Sequence, residues 1–324
     1  MMGRLNSSCL LLLALLLAYA TACAPKGYVC RVPEQADDGW TTASLGEVGI
    51  DETRMQTLMN GLSELEDNPI HSIVIVKNGR LVFEEYYSGD DLSVEGGLHT
   101  VPMDFGRETL HCVASASKTV TSILVGIAID QRMIESVDEG LFAFFPEYAH
   151  LGGGTKDDIT LWHALTMSSG IPWDESRSYT DPQNDVAQMY FLCDDPLEYV
   201  LGKDLIAPPG EAFIYNSGTT NLLGEVVSRS SGQTLPEFAD QYLFTPLGIE
   251  TLEWTGIPIA SDITAAASLL YLRPRDMAKI GQLYLEDGVW EDRRVVSEAW
   301  VAESTAAAMS VPSDDAPMPG FSNT

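Results

Sequence analysis

At 324 residues the chain is long enough for one large domain or two ordinary ones, and an apolar content of 45% allows a full core. The formal net charge is −29, with 47 Asp and Glu against 18 Lys and Arg. There is no basic run and no interleaving of basic and aromatic residues, which excludes nucleic-acid binding and fits the heavily hydrated surface of an exported protein.

Residues 1–22 have the form of a signal peptide. Arg4 gives a positive start, Leu10 to Leu17 an apolar run, and Ala20-Thr21-Ala22 a small-residue cleavage site. The run is too short to read as a membrane span. Ala20 to Cys23 also resembles a bacterial lipobox, with alanine where leucine is usual, and this predicts a lipid on Cys23. Ordinary secretion is the alternative. The expected compartment is the bacterial periplasm or cell envelope, with the lipid on Cys23 as the only membrane link. Of the five cysteines, Cys9 leaves with the leader. How Cys30, Cys112 and Cys193 pair is not fixed by sequence. No C-x-x-C or histidine cluster suggests a metal, and nothing calls for a cofactor.

Residues 23–46 read as an acidic tether. Asp51 to Glu66 reads as an amphipathic helix, with Asp51 near its cap and Met55, Leu58, Met59, Leu62 and Leu65 on one side. Ser72 to Val76 and Leu81 to Tyr87 flank Asn78-Gly79, the strongest hairpin signal in the chain. Ser88 to Arg107 is expected to be loop. Short helices follow at Asp158–Leu165, Asp195–Leu201, Asn221–Ser230, Leu235–Ile249, Arg275–Leu285 and Ser297–Ala308, with a hairpin about Asp287-Gly288. His163 reads as a packing residue, and Ser168 and Ser169 as a structural turn.

The stretch His111 to Asp130 organises the rest. From Thr119 to Ile129 it carries no charge, and Val120, Ile123, Leu124, Ile127 and Ala128 recur at helical spacing, so the helix is buried on most sides. Ser115 and Lys118 stand at its front on one face. A lysine at the mouth of an apolar helix is anomalous, because burial penalises the ammonium. Burial also depresses its pKa, and a neutral lysine can take the proton of a serine nucleophile. At the head of a helix, free N–H groups and the positive dipole end favour a developing oxyanion. By itself the S-x-x-K spacing is weak; its placement on this helix strengthens it.

Three segments in order resemble the penicillin-recognising serine hydrolases, which include class C β-lactamases, D-alanyl-D-alanine carboxypeptidases, family VIII esterases and nylon-oligomer hydrolases. They are Val113-Ala-Ser-Ala-Ser-Lys118, then Ile159-Thr-Leu-Trp-His-Ala-Leu-Thr-Met-Ser-Ser-Gly170, then Pro208-Pro-Gly-Glu-Ala-Phe-Ile-Tyr215. The resemblance runs from about Ile50 to Ser310. It implies Ser115 as acylating nucleophile, Lys118 as the group that accepts or shuttles its proton, and Tyr215 as the group that shares that proton and returns it to the leaving group. How the proton divides between Lys118 and Tyr215 is a property of the pair.

The chain departs from the pattern twice. The tyrosine motif usually ends in Asn two residues on; Ser217 stands there, with Asn216 beside it as the alternative substrate-binding residue. This counts against a penicillin-like substrate. No Lys-Thr-Gly or His-x-Gly follows Tyr215, so the C-terminal strands of the family are expected to be missing and the sheet incomplete, with coding sequence expected beyond Thr324. The resemblance implies an α/β (α+β) fold of the β-lactamase/transpeptidase type over residues 47–324. An antiparallel sheet with flanking helices would join an all-helical subdomain at about 111–260. The expected function is an exported serine hydrolase cleaving small esters or amides through an acyl-enzyme. The alternatives are β-lactamase or D-Ala-D-Ala carboxypeptidase-like activity, or a non-catalytic, penicillin-binding-like surface lipoprotein.

Overall fold

The computed structural model describes residues 27–65, 68–95 and 98–309, so the leader, the lipobox and Cys23 lie outside the described residues. Two compact units are present, one taking in Trp40–Ile70 and Ile75–Glu84, the other His71–Val74 and the chain from Glu85 onward.

In the first unit, helix α1 (Glu52–Ser63) starts where Asp51 accepts hydrogen bonds from the backbone N–H groups of Thr53 and Arg54. Met55 and Met59 are buried, whereas Leu58 and Leu65 are about half exposed. The latter two fall on one flank of the Met55–Met59–Leu62 line, and only that line faces the core. The tip of the hairpin β2 (Ser72–Lys77) and β3 (Arg80–Tyr86) turns at Asn78-Gly79, both at positive φ, as expected. The tether does not remain a tether to its end. Trp40, Ala43 and Leu45 are buried, and β1 (Thr41–Thr42) pairs parallel with β3, giving a three-stranded sheet in the order β1-β3-β2. Those apolar anchors outweigh the polar average of residues 23–46.

The second unit holds the long helices. Helix α2 (Ser117–Asp130) is buried from Val120 to Ala128 on nearly every side and packs on α5 (Ser217–Ser231). Its Gly126 lies against Trp300 of α8 (Glu298–Ser304), where a Cβ would meet the indole at 2.3 Å. Helices α3 (Leu161–Leu165) and α4 (Pro196–Leu201) are capped by Thr160 and Asp195. The span 235–249 is not one α-helix: α6 (Leu235–Ala239) passes into a π-helical turn and then a 3-10 turn at Thr245–Leu247.

Strands appear where none were expected. Residues 88–107, read as loop, form a hairpin of β4 (Ser88–Ser93) and β5 (His99–Asp104). The stretch 111–260 is not wholly helical. At its two ends β6 (His111–Cys112) and β7 (Leu252–Trp254) flank β10 (Leu270–Leu272) in an antiparallel sheet, and β8 (Gly256–Ile257) pairs with β9 (Ala260–Thr264). After α7 (Pro274–Leu285), a hairpin joins β11 (Val289–Trp290) and β12 (Arg293–Arg294). Its turn is Glu291-Asp292, both at positive φ, and not Asp287-Gly288, which ends α7. Cys112 and Cys193 carry free thiols. Among the described residues no helix is long and apolar enough to cross a membrane, and no group of three or more His, Cys, Asp or Glu is placed to hold a metal ion.

Candidate active site

Ser115 sits in a 3-10 turn, Ala114–Ala116, that runs directly into α2. Ala114 has a φ of 44°, which a residue with a Cβ rarely adopts, so the backbone is strained immediately before the serine. Ser117 Oγ donates to the Ala114 carbonyl at 2.7 Å and braces that turn. Three residues after Ser115, Lys118 Nζ donates to Ser115 Oγ at 3.0 Å and to the Ala267 carbonyl at 3.1 Å. The Tyr215 ring lies with its centroid 4.9 Å from Nζ, and its side chain is hydrogen-bonded to Ser115. The three residues carried over from the sequence are therefore together.

Their electrostatics suit proton transfer. Burial pushes the Lys118 pKa down to about 8, against the smaller opposing pull of the Glu175 carboxylate. Burial raises the Tyr215 phenol, and the Ser115 hydrogen bond offsets part of that. Glu175 is held by Trp173, whose Nε1 donates to Glu175 Oε2 at 2.7 Å. The Trp173 ring in turn packs on Gly218 in the first turn of α5, where a Cβ would meet it at 2.6 Å.

The second and third segments pair with each other through backbone. Gly210 N–H donates to the Ser168 carbonyl, Ile214 N–H to the Met167 carbonyl, and Ile206 N–H to the Gly170 carbonyl. This ladder sets where Tyr215 leaves the turn. Ser168 and Ser169 are buried within it, as a structural turn requires. His163 closes the α3 cap, with Nδ1 accepting from Thr160 N–H.

The two substrate-binding candidates part company. Ser217 lines the cavity at Ser115. Asn216 is fully buried: its Oδ1 caps α5 by accepting from Thr219 N–H at 2.9 Å, and its Nδ2 donates to the Ile171 carbonyl at 3.2 Å. Asn216→Ala is accordingly expected to cost about 1–2 kcal/mol of stability, the usual range for a lost cap. A thermal melt beside Michaelis kinetics checks this. A changed KM at unchanged melting temperature would contradict the capping role.

The cavity has a volume of about 90 Å³. Ser115, Lys118, Ser217 and Ser268 are on its polar side, and its apolar lining includes Leu92, Leu98, Val186, Leu269 and the rings of Tyr179 and Tyr190. None of these last six stood out in the sequence. Leu92 and Leu98 lay in a presumed loop, and the tyrosines carried no motif. A wider groove of about 360 Å³, lined by Tyr148, Glu225, Arg229 and Asp262 among others, shares no residue with this cavity. Its Arg229 is already paired with Glu147 and Glu225.

The beta-lactamase family model matches residues 62–321. The chain belongs to this family. Among curated family relatives, the 6-aminohexanoate-dimer hydrolase of Paenarthrobacter ureafaciens is 26% identical over 266 residues, covering 76% of this chain and 61% of its own length. The lovastatin esterase of Penicillium rubens is 29% identical over 197 residues, covering 54% of this chain and 46% of its own. The chain thus spans about half to three-fifths of these relatives. Of solved structures, an octameric penicillin-binding protein homologue from Pyrococcus abyssi superposes with a TM-score of 0.57 at 21% identity, over 83% of this chain and 61% of that one. That likeness shows the beta-lactamase-like fold, an α/β arrangement of antiparallel sheets and helices.

Proposed function

We propose that the chain is a serine hydrolase of small esters or amides, acting through an acyl-enzyme on Ser115. The observation that carries this is the Ser115–Lys118–Tyr215 cluster, of which Ser115 and Lys118 line the cavity, with Lys118 Nζ 3.0 Å from Ser115 Oγ and its pKa pushed down to about 8. A relative that hydrolyses an amide dimer and another that is an esterase support the ester or amide class.

In the proposed reaction Ser115 Oγ attacks the substrate carbonyl carbon as its proton passes to the Lys118–Tyr215 pair. The positive dipole end at the head of α2 favours the oxyanion. The carbon–heteroatom bond then breaks, Tyr215 returns a proton to the leaving group, and the acyl group remains on Ser115. Water then attacks the acyl carbon, giving a proton to the same pair. The bond to Ser115 Oγ breaks, the pair returns that proton to Ser115, and the carboxylic acid leaves. Export, with a lipid on Cys23, belongs to the same proposal and rests on the leader. Loss of fatty-acid labelling in Cys23→Ser tests it.

The test of the chemistry is a fluorophosphonate probe read by intact mass, with Ser115→Ala alongside. Attack on phosphorus forms a P–O bond and expels fluoride, so an adduct on the wild-type chain alone supports the reading. Equal labelling of both proteins, or none of either, would overturn it. Faster turnover of a chromogenic β-lactam than of short nitrophenyl esters or anilides would overturn the assignment to acyclic esters and amides in favour of the β-lactamase alternative. Because Lys118 must be neutral to accept a proton, the labelling rate is expected to climb about tenfold per pH unit below about 8 and to level off above it.

A further inference from the structure

Lys118 has a second partner besides Ser115, the Ala267 carbonyl at 3.1 Å. A neutral lysine has two N–H donors and one lone pair. If one donor is fixed on a carbonyl, rotation about the terminal bond is restricted and the lone pair can be held toward Ser115. The carbonyl aims the base only if its own peptide is fixed.

That peptide and the one before it are both held. Its own N–H, at Ser268, donates to the Ala265 carbonyl at 3.0 Å, and the N–H of the preceding peptide, at Ala267, donates to Asn221 Oδ1 at 3.0 Å. The preceding carbonyl, Ala266, accepts from Thr121 Oγ1 at 2.7 Å, one helical turn beyond Lys118 on α2. The following side chain, Ser268 Oγ, lies 2.8 Å from the Tyr190 hydroxyl. Asn221 and Thr121 are both fully buried, as are Ala265, Ala266 and Ala267. One turn along α5 from Asn221, Gly224 lets the segment approach, since a Cβ there would meet the Ala266 methyl at 2.5 Å.

A fully buried asparagine inside a helix is costly unless its groups are used. The other contacts of Asn221, from Nδ2 to Met189 Sδ and the Tyr190 hydroxyl, are both long at 3.5 Å. Its short bond is the one to Ala267. We infer that Asn221 is a positioning residue for Lys118, acting through the Ala266–Ala267 peptide that leads into the Ala267 carbonyl, with Thr121 as its counterpart on the carbonyl of that same peptide. This rests on the reading of Lys118 as the proton acceptor for Ser115. The groups that face Lys118 are Ser115 on its own turn, Tyr215 before α5, Glu175 on the Trp173 loop, and the cavity phenols Tyr179 and Tyr190.

The experiment is the pH dependence of fluorophosphonate labelling of Ser115 in the full chain, for wild type, Asn221→Leu, Asn221→Asp and Thr121→Val, with Lys118→Met as reference. Leu at 221 has the same number of side-chain heavy atoms but leaves the Ala267 N–H buried without its acceptor, so the Ala266–Ala267 peptide turns and carries the adjoining Ala267 carbonyl with it. The high-pH plateau should then fall about 10- to 100-fold, the size of effect a small misplacement of a reacting group produces. The midpoint should move to lower pH, because the ammonium loses an acceptor. Asn221→Asp keeps the acceptor and adds a negative charge, so it should hold the plateau and move the midpoint to higher pH. Opposite shifts of this kind are not what a merely structural role produces. A folded Asn221→Leu protein with a lower melting temperature but wild-type plateau and midpoint overturns the inference. Should Asn221→Leu not fold, Thr121→Val decides: a lowered plateau supports the inference and a wild-type plateau overturns it. Wild type labelled no faster than Lys118→Met overturns the reading of Lys118 itself, an outcome separate from any result at Asn221.

Discussion

Lys118→Met is expected to slow ester hydrolysis and fluorophosphonate labelling by about 10²- to 10⁴-fold, the contribution of a positioned general base, while making the folded protein more stable at neutral pH. Both effects have one cause. Lys118 is placed where burial disfavours its charge, which is why its pKa falls to about 8. The unfolded chain returns the lysine to its ordinary value near 10.5, so between about 8 and 10.5 the unfolded state binds more protons than the folded state. Wild-type stability due to this group therefore rises with pH across that window. It is lowest at and below the depressed value, where the folded protein must hold a charged lysine. Met, of similar length and without a charge, removes that penalty but leaves the Ala267 carbonyl without its Lys118 hydrogen bond. The net gain at neutral pH is expected to be about 1 kcal/mol, small because the lost hydrogen bond is of that same size. Denaturant titrations of both proteins from pH 7 to 10.5 check this. The Met advantage should shrink as pH rises. A Met variant less stable at pH 7, or an advantage that grows with pH, would show that burial is not what depresses the lysine.

The cluster of Ser115, Lys118 and Tyr215 was legible because local rules place its members. Ser115 and Lys118 are three apart at the head of an apolar helix, so helical geometry alone brings Nζ to Oγ. Tyr215 follows a Pro-Pro-Gly break and precedes a helix, which limits where its ring can go. The Asp51 cap was readable in the same way, since it accepts from N–H groups two and three residues on, and Asp195 and Ser297, expected only as first residues of helices, prove to be caps too. What could not be read is what depends on distant backbone. Ala267 carries no functional side chain, and its part in the site is a carbonyl oxygen delivered across 149 residues of sequence. The β4–β5 hairpin hides in a stretch rich in Asp and Gly, where the alternation of Val101, Met103 and Phe105 is too short to stand out and β4 carries a single apolar residue, Leu92. It is tied down from outside, as by the Tyr271 hydroxyl donating to the Leu92 carbonyl. Two-residue β1 gave no periodic signal because its pairing with β3 is long-range. Asn216 was misleading for the opposite reason: its neighbour is the catalytic tyrosine candidate, yet its side chain is turned into the helix as a cap.

Gly170→Ala is expected to be the more damaging of two small changes in the Ser168-Ser169-Gly170 turn, although it adds a single methyl. Gly170 has a φ of 78°, in the region where a Cβ is strained. A Cβ built there would stand 2.0 Å from the Ala207 carbonyl oxygen, a backbone atom that cannot rotate away. Left-handed strain costs of order 1–3 kcal/mol and forced overpacking a similar amount, so about 3 kcal/mol or more of stability should be lost. Relief would require the 206–210 segment to move off the turn, and that segment is bonded to it at both ends, through Ile206 N–H to Gly170 and Gly210 N–H to Ser168. Just beyond it, Ile214 N–H is bonded to Met167, one residue before Tyr215. The methyl should therefore lower the melting temperature and also displace Tyr215, so that turnover falls even at temperatures where the variant is folded. Ser169→Ala supplies the contrast. It removes only the long Ser169 Oγ contact to Ile171 N–H at 3.3 Å, with no positive φ and no added atom, and should cost about 1 kcal/mol or less. Thermal melts and ester kinetics on the pair measure the difference. If Gly170→Ala kept wild-type turnover in its folded state, the ladder between the two segments would not be what seats Tyr215. If the two variants lost equal stability, the close approach at Ala207 would not be what demands glycine.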